Sequence, residues 1–167
     1  MGELDGWTTC PRCGSALHND GAQATCASCG FVAYANSAPA VQALVVRDGR
    51  ILLARRDREP GAGKWDLPGG FLDEGEEPIA GLRRELREET GLEVEPGAYL
   101  GAFVEPYLGR FVLGLTWLAR AQGEVEAADD VEEARWFGRD ELPPAADFAF
   151  PHHPGLLAAW AAGRVGP

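Results

Sequence analysis

The chain has 167 residues, of which 46% are hydrophobic and 25% charged, and its formal net charge is -11 at pH 7. This composition supports one globular domain plus a small module and excludes a disordered chain. The sequence has no run of about 18 apolar residues and no basic start followed by an apolar segment. We therefore expect a cytoplasmic protein with no membrane partner. The acidic balance also disfavours nucleic acid as a partner, because phosphate binding relies on clustered Lys and Arg.

All four cysteines lie in the first thirty residues, in the motifs Cys10-Pro-Arg-Cys13-Gly and Cys26-Ala-Ser-Cys29-Gly. Two such pairs, each followed by glycine, are typical of a zinc ribbon, in which four thiolates hold a tetrahedral Zn²⁺. The competing interpretation is two disulfides, which a reducing cytosol disfavours. His18 lies between the pairs and is expected to be a loop residue. We predict a module over residues 1–37 that structural Zn²⁺ stabilises.

The predicted ribbon carries Arg12 as its one basic residue, against three acidic residues, Glu3, Asp5 and Asp20. This charge is unfavourable for binding nucleic acid. We expect the ribbon to pack against the rest of the chain or to form a homodimer contact.

The second domain is predicted to span residues 38–167. Val41–Arg47 is rich in β-branched residues, Asp48-Gly49 is a hairpin turn signal, and Arg50–Arg55 returns as the partner strand. Basic residues gather at the end of this hairpin. Arg55 among them is either a contact to substrate phosphate or part of a solvated strand end.

A helix is predicted from about Glu77 to Thr90. Pro78 suits the first turn, where a missing N–H costs nothing, and Gly91 suits the left-handed position after the last turn. Its helical spacing gives an apolar stripe and an acidic face beside it. The stripe consists of Ile79, Leu82 and Leu86, and the acidic face of Glu85, Glu88 and Glu89.

Three carboxylates on one helix face repel one another by a few tenths of a kcal/mol per pair, which favours a bound cation. Oxygen ligands of this kind suit Mg²⁺ or Mn²⁺, which also bridge phosphates. The alternative is a solvated acidic face. Two features favour the metal site: Arg84 stands one turn before Glu88, and Gly69-Gly70 permits close backbone approach before the helix.

The wider spacing around this helix resembles the Nudix box. Its pattern is G, five residues, E, seven residues, REL, one residue, EE, one residue, GL. The matching positions are Gly70, Glu76, Arg84, Glu85, Leu86, Glu88, Glu89, Gly91 and Leu92. The chain is therefore similar to the Nudix hydrolases, which cleave a nucleoside diphosphate linked to another moiety. The resemblance implies an α/β fold, an α/β/α sandwich on a mixed sheet, over roughly residues 38–163.

The resemblance also implies roles for residues of the box. Glu85, Glu88 and Glu89 would bind catalytic Mg²⁺ or Mn²⁺ with help from a backbone carbonyl near Gly70. Arg84 and Glu76 would brace the helix and the preceding loop by a salt bridge. The order of ribbon, hairpin and box further resembles the zinc-containing Nudix enzymes, among them NADH pyrophosphatases and a plant-type group acting on FAD and ADP-ribose.

Four further elements are expected after the box. Three are strands and the last is a helix with Leu156, Leu157 and Trp160 inward; they cover Glu93–Val104, Phe111–Ala121, Glu133–Phe137 and His153–Ala162. A variable loop that holds Glu105 is expected between the first two of these strands. The segment from Gly101 to Gly109 overlaps this loop. It departs from the Ser-Gln-Pro-Trp-Pro-Phe-Pro-x-Ser motif of NADH pyrophosphatases, of which Pro106 and an aromatic residue remain.

The residues that would determine substrate specificity lie outside the box. A proline about where Pro106 lies is similar to ADP-ribose pyrophosphatases, and the adjacent Tyr107 is similar to dinucleoside polyphosphate enzymes. Asp130 and Glu133 are candidates for the general base or an extra metal ligand, with a solvated acidic loop as the alternative; Glu105 is a weaker candidate. Four aromatic residues could stack on a base or ribose, although we expect core packing for each: Phe103, Tyr107, Phe111 and Phe148.

The sequence thus predicts an Mg²⁺-dependent hydrolase of a nucleoside diphosphate-linked small molecule, with ADP-ribose, FAD or NADH favoured and AMP as one product. A second hypothesis is a pyrophosphatase of nucleoside triphosphates, including oxidised ones. A third is a non-catalytic nucleotide-binding regulator whose ribbon recruits a partner. The full carboxylate set argues against the third.

Overall fold

A computed structural model describes residues 2–166. Its contacts divide the chain into two compact units. The first is the chain up to Ala38 together with Val104–Leu113, and the second is Pro39–Phe103 together with the chain from Gly114 onward. The sequence assigns residues 104–113 to the second domain, whereas this division groups them with the first. Neither α-helix of residues 2–166 has the length and apolar character needed to cross a membrane.

The described chain contains ten strands, two α-helices and one 3₁₀ turn. The strands are β1 His18–Asn19, β2 Gln23–Thr25, β3 Val32–Tyr34, β4 Ala38–Arg47, β5 Arg50–Arg56, β6 Trp65–Asp66, β7 Gly69–Phe71, β8 Glu93–Tyr107, β9 Arg110–Gln122 and β10 Val131–Phe137. The helices are α1 Pro78–Thr90 and α2 His153–Ala161, and the 3₁₀ turn is Ala145–Asp147.

The first unit contains a small antiparallel sheet in the order β1-β2-β3. The two cysteine motifs form tight turns. Gly14, at φ 76°, donates its N–H to the Cys10 carbonyl over 2.9 Å, and Gly30, at φ 71°, donates to the Cys26 carbonyl over 3.0 Å. A glycine after each CxxC pair is therefore explained by a left-handed backbone that glycine adopts without steric cost.

The large sheet has the strand order β10-β5-β4-β9-β8, with β6 paired to β5 and β7 paired to β4. Strand β5 is antiparallel to β4 and to β10. Strands β4 and β9 run in the same direction, because Gln42 contacts Thr116 near one end and Arg47 reaches the Gly123 carbonyl at the other. The sheet is mixed, as predicted.

The hairpin between β4 and β5 confirms the predicted turn. Arg47 pairs with Arg50, and the two residues between them, Asp48 and Gly49, have φ values of 51° and 73°. Two consecutive positive φ values are the mirror-image turn whose twist matches that of paired strands. This local signal fixes the β4–β5 register.

Side chains alternate across β4 and supply two separate cores. Val41, Ala43 and Val45 pack with Leu82 and Leu86 of α1 on one face of the sheet. Leu44 and Val46 pack on the other face, in the cluster that holds the inward side of α2. From α2 that cluster buries Leu157 and Trp160, with Leu156 partly buried beside them. The helices therefore cover opposite faces, which confirms the predicted α/β/α architecture.

The structure corrects the prediction of a loop between Val104 and Phe111. This segment is the end of a long hairpin rather than a loop: β8 continues to Tyr107, β9 begins at Arg110, and Leu108-Gly109 makes the turn at φ 45° and 86°. Leucine rarely adopts a positive φ, so the sequence carries no ordinary turn signal there. Phe111 is 50% exposed, so its expected core packing is wrong.

Candidate active site

Helix α1 places the acidic face of the box next to the turn between β6 and β7. Glu77 precedes the helix in an extended conformation, Pro78 begins it, and Gly91 ends it at φ 69° with its N–H bonded to the Arg87 carbonyl. Leu82 and Leu86 are completely buried, which fixes the rotation of the helix about its axis. As a result, the acidic residues beside this stripe face the backbone of β7.

The two glycines of β7 leave room for this approach. Gly69, at φ 148°, pairs with Gln42 of β4, and a Cβ at that position would overlap the Val41 carbonyl. A Cβ at Gly70 would overlap the carboxylate of Glu85. Glycine at both positions is therefore required by packing: the first against β4 and the second against the helix.

Glu89 is the most deeply buried carboxylate of the face, with 6% of its surface exposed. It accepts a hydrogen bond of 2.8 Å from the backbone N–H of Gly69. Burial, followed by the nearby negative charge of Asp130, raises the pKa of Glu89 well above its usual value. A buried acid held by one amide donor is poorly compensated when ionised, so it favours a cation beside it.

Glu85 and Glu88 differ in their environment. Glu85 lies against Gly70 and accepts a 2.8 Å hydrogen bond from Arg84. Burial raises the pKa of Glu85, against the opposing effect of Arg84. Glu88 is half-exposed and contacts Arg84 at 3.1 Å. Both keep an orientation imposed by the same guanidinium group.

Arg84 also joins the helix to the loop before it. Its Nε and Nη2 atoms donate to the two carboxylate oxygens of Glu76, over 2.9 and 2.7 Å, and Nη2 also donates to the Phe71 carbonyl over 3.1 Å. The hydrogen bonds from Arg84, and one from the Asp73 amide, lower the pKa of Glu76 to about 2. Bidentate pairs of this kind fix both distance and angle. The structure thus contains the ion pair that the sequence assigned to this position.

The acidic donor set fits a hard divalent cation by its chemistry. Each of the three glutamates has a protein donor, from Arg84 or Gly69. Glu89 is buried, Glu85 is partly buried, and both have raised pKa values. Their oxygens do not converge as closely as a complete ligand shell. Among residues 2–166, the cysteines are the one group of His, Cys, Asp and Glu ligand atoms gathered that tightly.

The sulfur atoms of the four cysteines, Cys10, Cys13, Cys26 and Cys29, all lie within 4.8 Å of one another, and the thiols are free. Two of the separations are 3.7 and 3.6 Å. A tetrahedron with Zn–S bonds of ~2.3 Å has sulfur–sulfur edges of about 3.8 Å. The geometry fits a four-thiolate zinc site and contains neither disulfide. His18 lies in β1, outside this cluster.

Asp130 and Glu133 are placed differently in the second unit. Asp130 contacts Arg58 at 3.3 Å, is mostly buried, and its charge raises the pKa of both Glu85 and Glu89. Glu133 pairs with Arg55 across β10 and β5, and their charged atoms lie 3.9 Å apart. Asp130 is therefore electrostatically coupled to the acidic face of α1.

Arg55, proposed from the sequence as a substrate contact, donates to the Gly63 carbonyl over 2.9 Å and lies 3.7 Å from Glu132. The other three candidates, Glu105, Tyr107 and Phe111, lie on the tip of the β8–β9 hairpin in the first unit. Glu105 is buried there, in contrast to the expectation of a loop residue.

Sequence reasoning missed a buried polar cluster on the face of the sheet covered by α2. Its members are Gln42, Asp66, Thr116, His152 and His153. Each is polar within an apolar stretch of sequence, for example Gln42 between Val41 and Ala43. That contrast was the available signal, because a polar side chain on a buried strand requires a partner.

Comparisons with known proteins agree with this architecture. The model of the NUDIX domain matches residues 36–159. An ADP-ribose pyrophosphatase from Methanocaldococcus jannaschii is 35% identical over 116 residues, 68% of this chain and 69% of that protein. The NAD-capped RNA hydrolase NudC from Stutzerimonas stutzeri is 33% identical over 138 residues, 80% of this chain and 49% of that protein. The chain thus spans about half the length of that relative.

Comparison with a solved structure also supports the Nudix fold. The crystal structure of a NUDIX hydrolase from Nitrosomonas europaea superposes with a TM-score of 0.79 at 25% identity, covering 92% of this chain and 90% of the other. The domain match covers most of the chain, and the spacing of the box coincides with the acidic helix described above. The chain therefore belongs to the Nudix hydrolase family.

Proposed function

We propose that the chain is an Mg²⁺- or Mn²⁺-dependent enzyme that cleaves the pyrophosphate bond of a nucleoside diphosphate derivative. The observation that carries this proposal is that buried Glu89 and partly buried Glu85 lie against the Gly69-Gly70 backbone with raised pKa values. Ionising these carboxylates costs free energy unless a cation lies beside them. A divalent cation that also binds phosphate oxygens suits this group of ligands.

In this proposal Glu85, Glu88 and Glu89 hold the cation, together with the backbone carbonyl of Gly70. The cation, when bound, neutralises pyrophosphate charge and makes a water molecule more acidic. Arg84 orients the carboxylates of Glu85 and Glu88 through its hydrogen bonds. Its bidentate pair with Glu76 holds the helix and loop in a single arrangement.

We assign the general base to Asp130 in preference to Glu133. Both carboxylates contact an arginine, Asp130 with Arg58 and Glu133 with Arg55. Asp130 in addition interacts electrostatically with Glu85 and Glu89. A base must reach the water whose proton it takes, within one hydrogen bond or through one further water. The coupling of Asp130 to the acidic face supports this role.

For the substrate, we propose ADP-ribose, FAD or NADH, with AMP as a product. The similarity to a protein named ADP-ribose pyrophosphatase supports the first. The relatives named NAD-capped RNA hydrolase add an NAD-capped RNA to the candidates. The net charge of -11 favours the small molecules over a long RNA. The cysteine site is proposed to bind one structural Zn²⁺, which leaves no open position for catalysis.

A substrate panel tests the proposal. Purified chain with Mg²⁺ is incubated with ADP-ribose, FAD, NADH, NAD-capped RNA and nucleoside triphosphates, and the products are separated by chromatography. We expect AMP from at least one of the first three. Glu89→Gln should lower the rate about 100-fold or more. Glu77→Gln, the same change at the exposed start of α1, is the matched control and should be as active as the wild type.

Other outcomes select the alternatives. Turnover of nucleoside triphosphates alone would favour the triphosphate pyrophosphatase. Binding without turnover of any member would favour the non-catalytic regulator and overturn the proposal.

A further inference from the structure

The buried polar cluster on the α2 face is connected to Glu89 through β4 and β7. His153 is completely buried, and Gln42, Asp66 and Thr116 are each buried. The backbone of Gln42 pairs with Gly69 in the β4–β7 ladder, and the Gly69 N–H donates to Glu89. A change in the position of Gln42 is therefore transmitted through one pair of strand residues to a carboxylate of the acidic face.

The hydrogen bonds of the Gln42 amide define the protonation of His153. The amide nitrogen lies 2.9 Å from the Thr116 hydroxyl and 3.0 Å from Nε2 of His152, so it donates to both. The amide oxygen, 3.1 Å from Nε2 of His153, must then accept a hydrogen bond from it. A neutral imidazole with its proton on Nε2 has a bare acceptor at Nδ1.

That acceptor faces Asp66. Nδ1 of His153 lies 3.3 Å from a carboxylate oxygen of Asp66 and makes no hydrogen bond to any described residue. Two acceptors at this distance in a buried site repel unless a proton lies between them. The second Asp66 oxygen accepts a 2.8 Å hydrogen bond from Arg56.

We propose that Asp66 carries a proton that it donates to Nδ1 of His153, and that this pair, through Gln42, positions the Gly69 amide that holds Glu89. Asp66 and His153 are thus positioning residues, and the catalytic part of this inference rests on the proposed function. The charged and titratable groups facing the pair are Arg56 from β5, His152 before α2, and Glu89 from α1.

The direction of the pKa shifts agrees with this placement of the proton. Burial raises the pKa of Asp66 to about 6, against the opposing charge of Arg56. Burial, followed by the charges of His152 and Arg56, lowers the pKa of His153 well below its usual value. Both effects keep the imidazole neutral and favour the protonated carboxyl as pH falls.

The first test is independent of catalysis. The full chain is labelled with ¹⁵N-histidine, and long-range ¹H–¹⁵N correlations report which nitrogen of each ring carries the proton. The chain has three histidines, so His153→Asn assigns the signal. We expect His153 to be neutral and protonated on Nε2 from about pH 5 to about pH 6, the range in which Asp66 retains its proton. A proton on Nδ1, as a reversed Gln42 amide would require, or a doubly protonated ring overturns the proposal.

The second test compares two substitutions whose side chains have the same branched skeleton as aspartate. Asp66→Asn retains an N–H toward His153 and an oxygen toward Arg56, whereas Asp66→Leu removes both. We expect Asp66→Leu to lower kcat about 10- to 100-fold with little change in KM, and to weaken Mn²⁺ binding by a similar factor. Asp66→Asn should stay close to the wild type. Equal kcat values for the two variants, corrected for the folded fraction, would overturn the positioning role.

The pH dependence of kcat is a third test, because a simple loss of packing would not change it. As pH rises through the pKa of Asp66, the wild type loses the shared proton while Asp66→Asn keeps its amide hydrogen. The ratio of wild-type to Asp66→Asn kcat should therefore fall with rising pH, and a constant ratio would contradict the proposal. If no substrate of the panel is cleaved, the proposed function fails, but the histidine spectra and Mn²⁺ titration still decide this inference.

Discussion

Replacing Glu89 with glutamine should make the metal-free protein more stable while it removes most of the activity. Glu89 is 6% exposed and has a single described hydrogen bond, from the Gly69 amide. Ionised, it carries a desolvation cost of several kcal/mol that one such bond offsets only in part. Glutamine keeps the accepting oxygen and removes the charge, so we expect a gain of about 1–2 kcal/mol in the free energy of unfolding at neutral pH.

The sign of the pH dependence follows from the raised pKa of Glu89. The folded wild type retains a proton that the unfolded chain has released, so its stability is complete below the ordinary carboxyl pKa and is lost as pH rises. The advantage of Glu89→Gln should therefore grow with pH. For a chain of this size, 1 kcal/mol corresponds to roughly 2–4 °C, so the expected rise in Tm is about 2–8 °C.

Thermal unfolding in a metal-chelating buffer, followed by circular dichroism at several pH values, measures this effect. Glu88→Gln is the matched control for stability, because Glu88 is half-exposed on the same helix and its change should stay within about 0.5 kcal/mol. Adding Mg²⁺ at ~100 times its Kd should stabilise the wild type by about 2.7 kcal/mol and Glu89→Gln far less. A metal-free Glu89→Gln that melts below the wild type at alkaline pH would refute the reasoning.

Three further outcomes are expected. Arg84→Lys removes the bidentate pair, so the pKa of Glu76 should rise from about 2 toward its usual value. The stability that this pair contributes is lost as pH falls through that pKa, so acid unfolding of the variant should begin at higher pH. An unchanged midpoint of acid unfolding would count against the pair. Gly70→Ala, which overlaps the Glu85 carboxylate, should lower kcat about 100-fold with circular dichroism unchanged, whereas Gly155→Ala, with open space around it, should not. Metal analysis should find one zinc per chain, and Cys13→Ser should release it and destabilise folding before it alters the chemistry.

Local sequence signals predicted the elements that build the acidic site. Helix α1 follows from Pro78, Gly91 and the spacing of its buried leucines, and the β4–β5 turn follows from Asp48-Gly49. In each case the information lies within a few residues, where backbone preferences decide the conformation. The structure begins α1 within one residue of the predicted start.

Contacts between residues that are distant in the sequence were harder to predict. Gln42 contacts Thr116, 74 residues away, and His153, 111 residues away, so no local pattern joins them. The turn at Leu108 was located only to the segment between Val104 and Phe111, because leucine rarely adopts a positive φ and gives no sharp turn signal. Both predicted strands therefore stopped short of the turn. The same error made Glu105 a loop residue, although it is buried on a strand.

Of the strands that pair with β4, β5 and β9 lie at very different distances along the chain, and this difference affects the order of folding. β5 returns after two residues, whereas the residue of β9 that contacts Gln42 is 74 positions away. Closing the longer loop costs more entropy, and parallel pairing of distant segments is slow. The β4–β5 hairpin is thus available as an early template onto which β9 docks later. Slow refolding of this chain would then reflect the joining of β9 to β4, and amide protons of β5 would gain protection before those of β9.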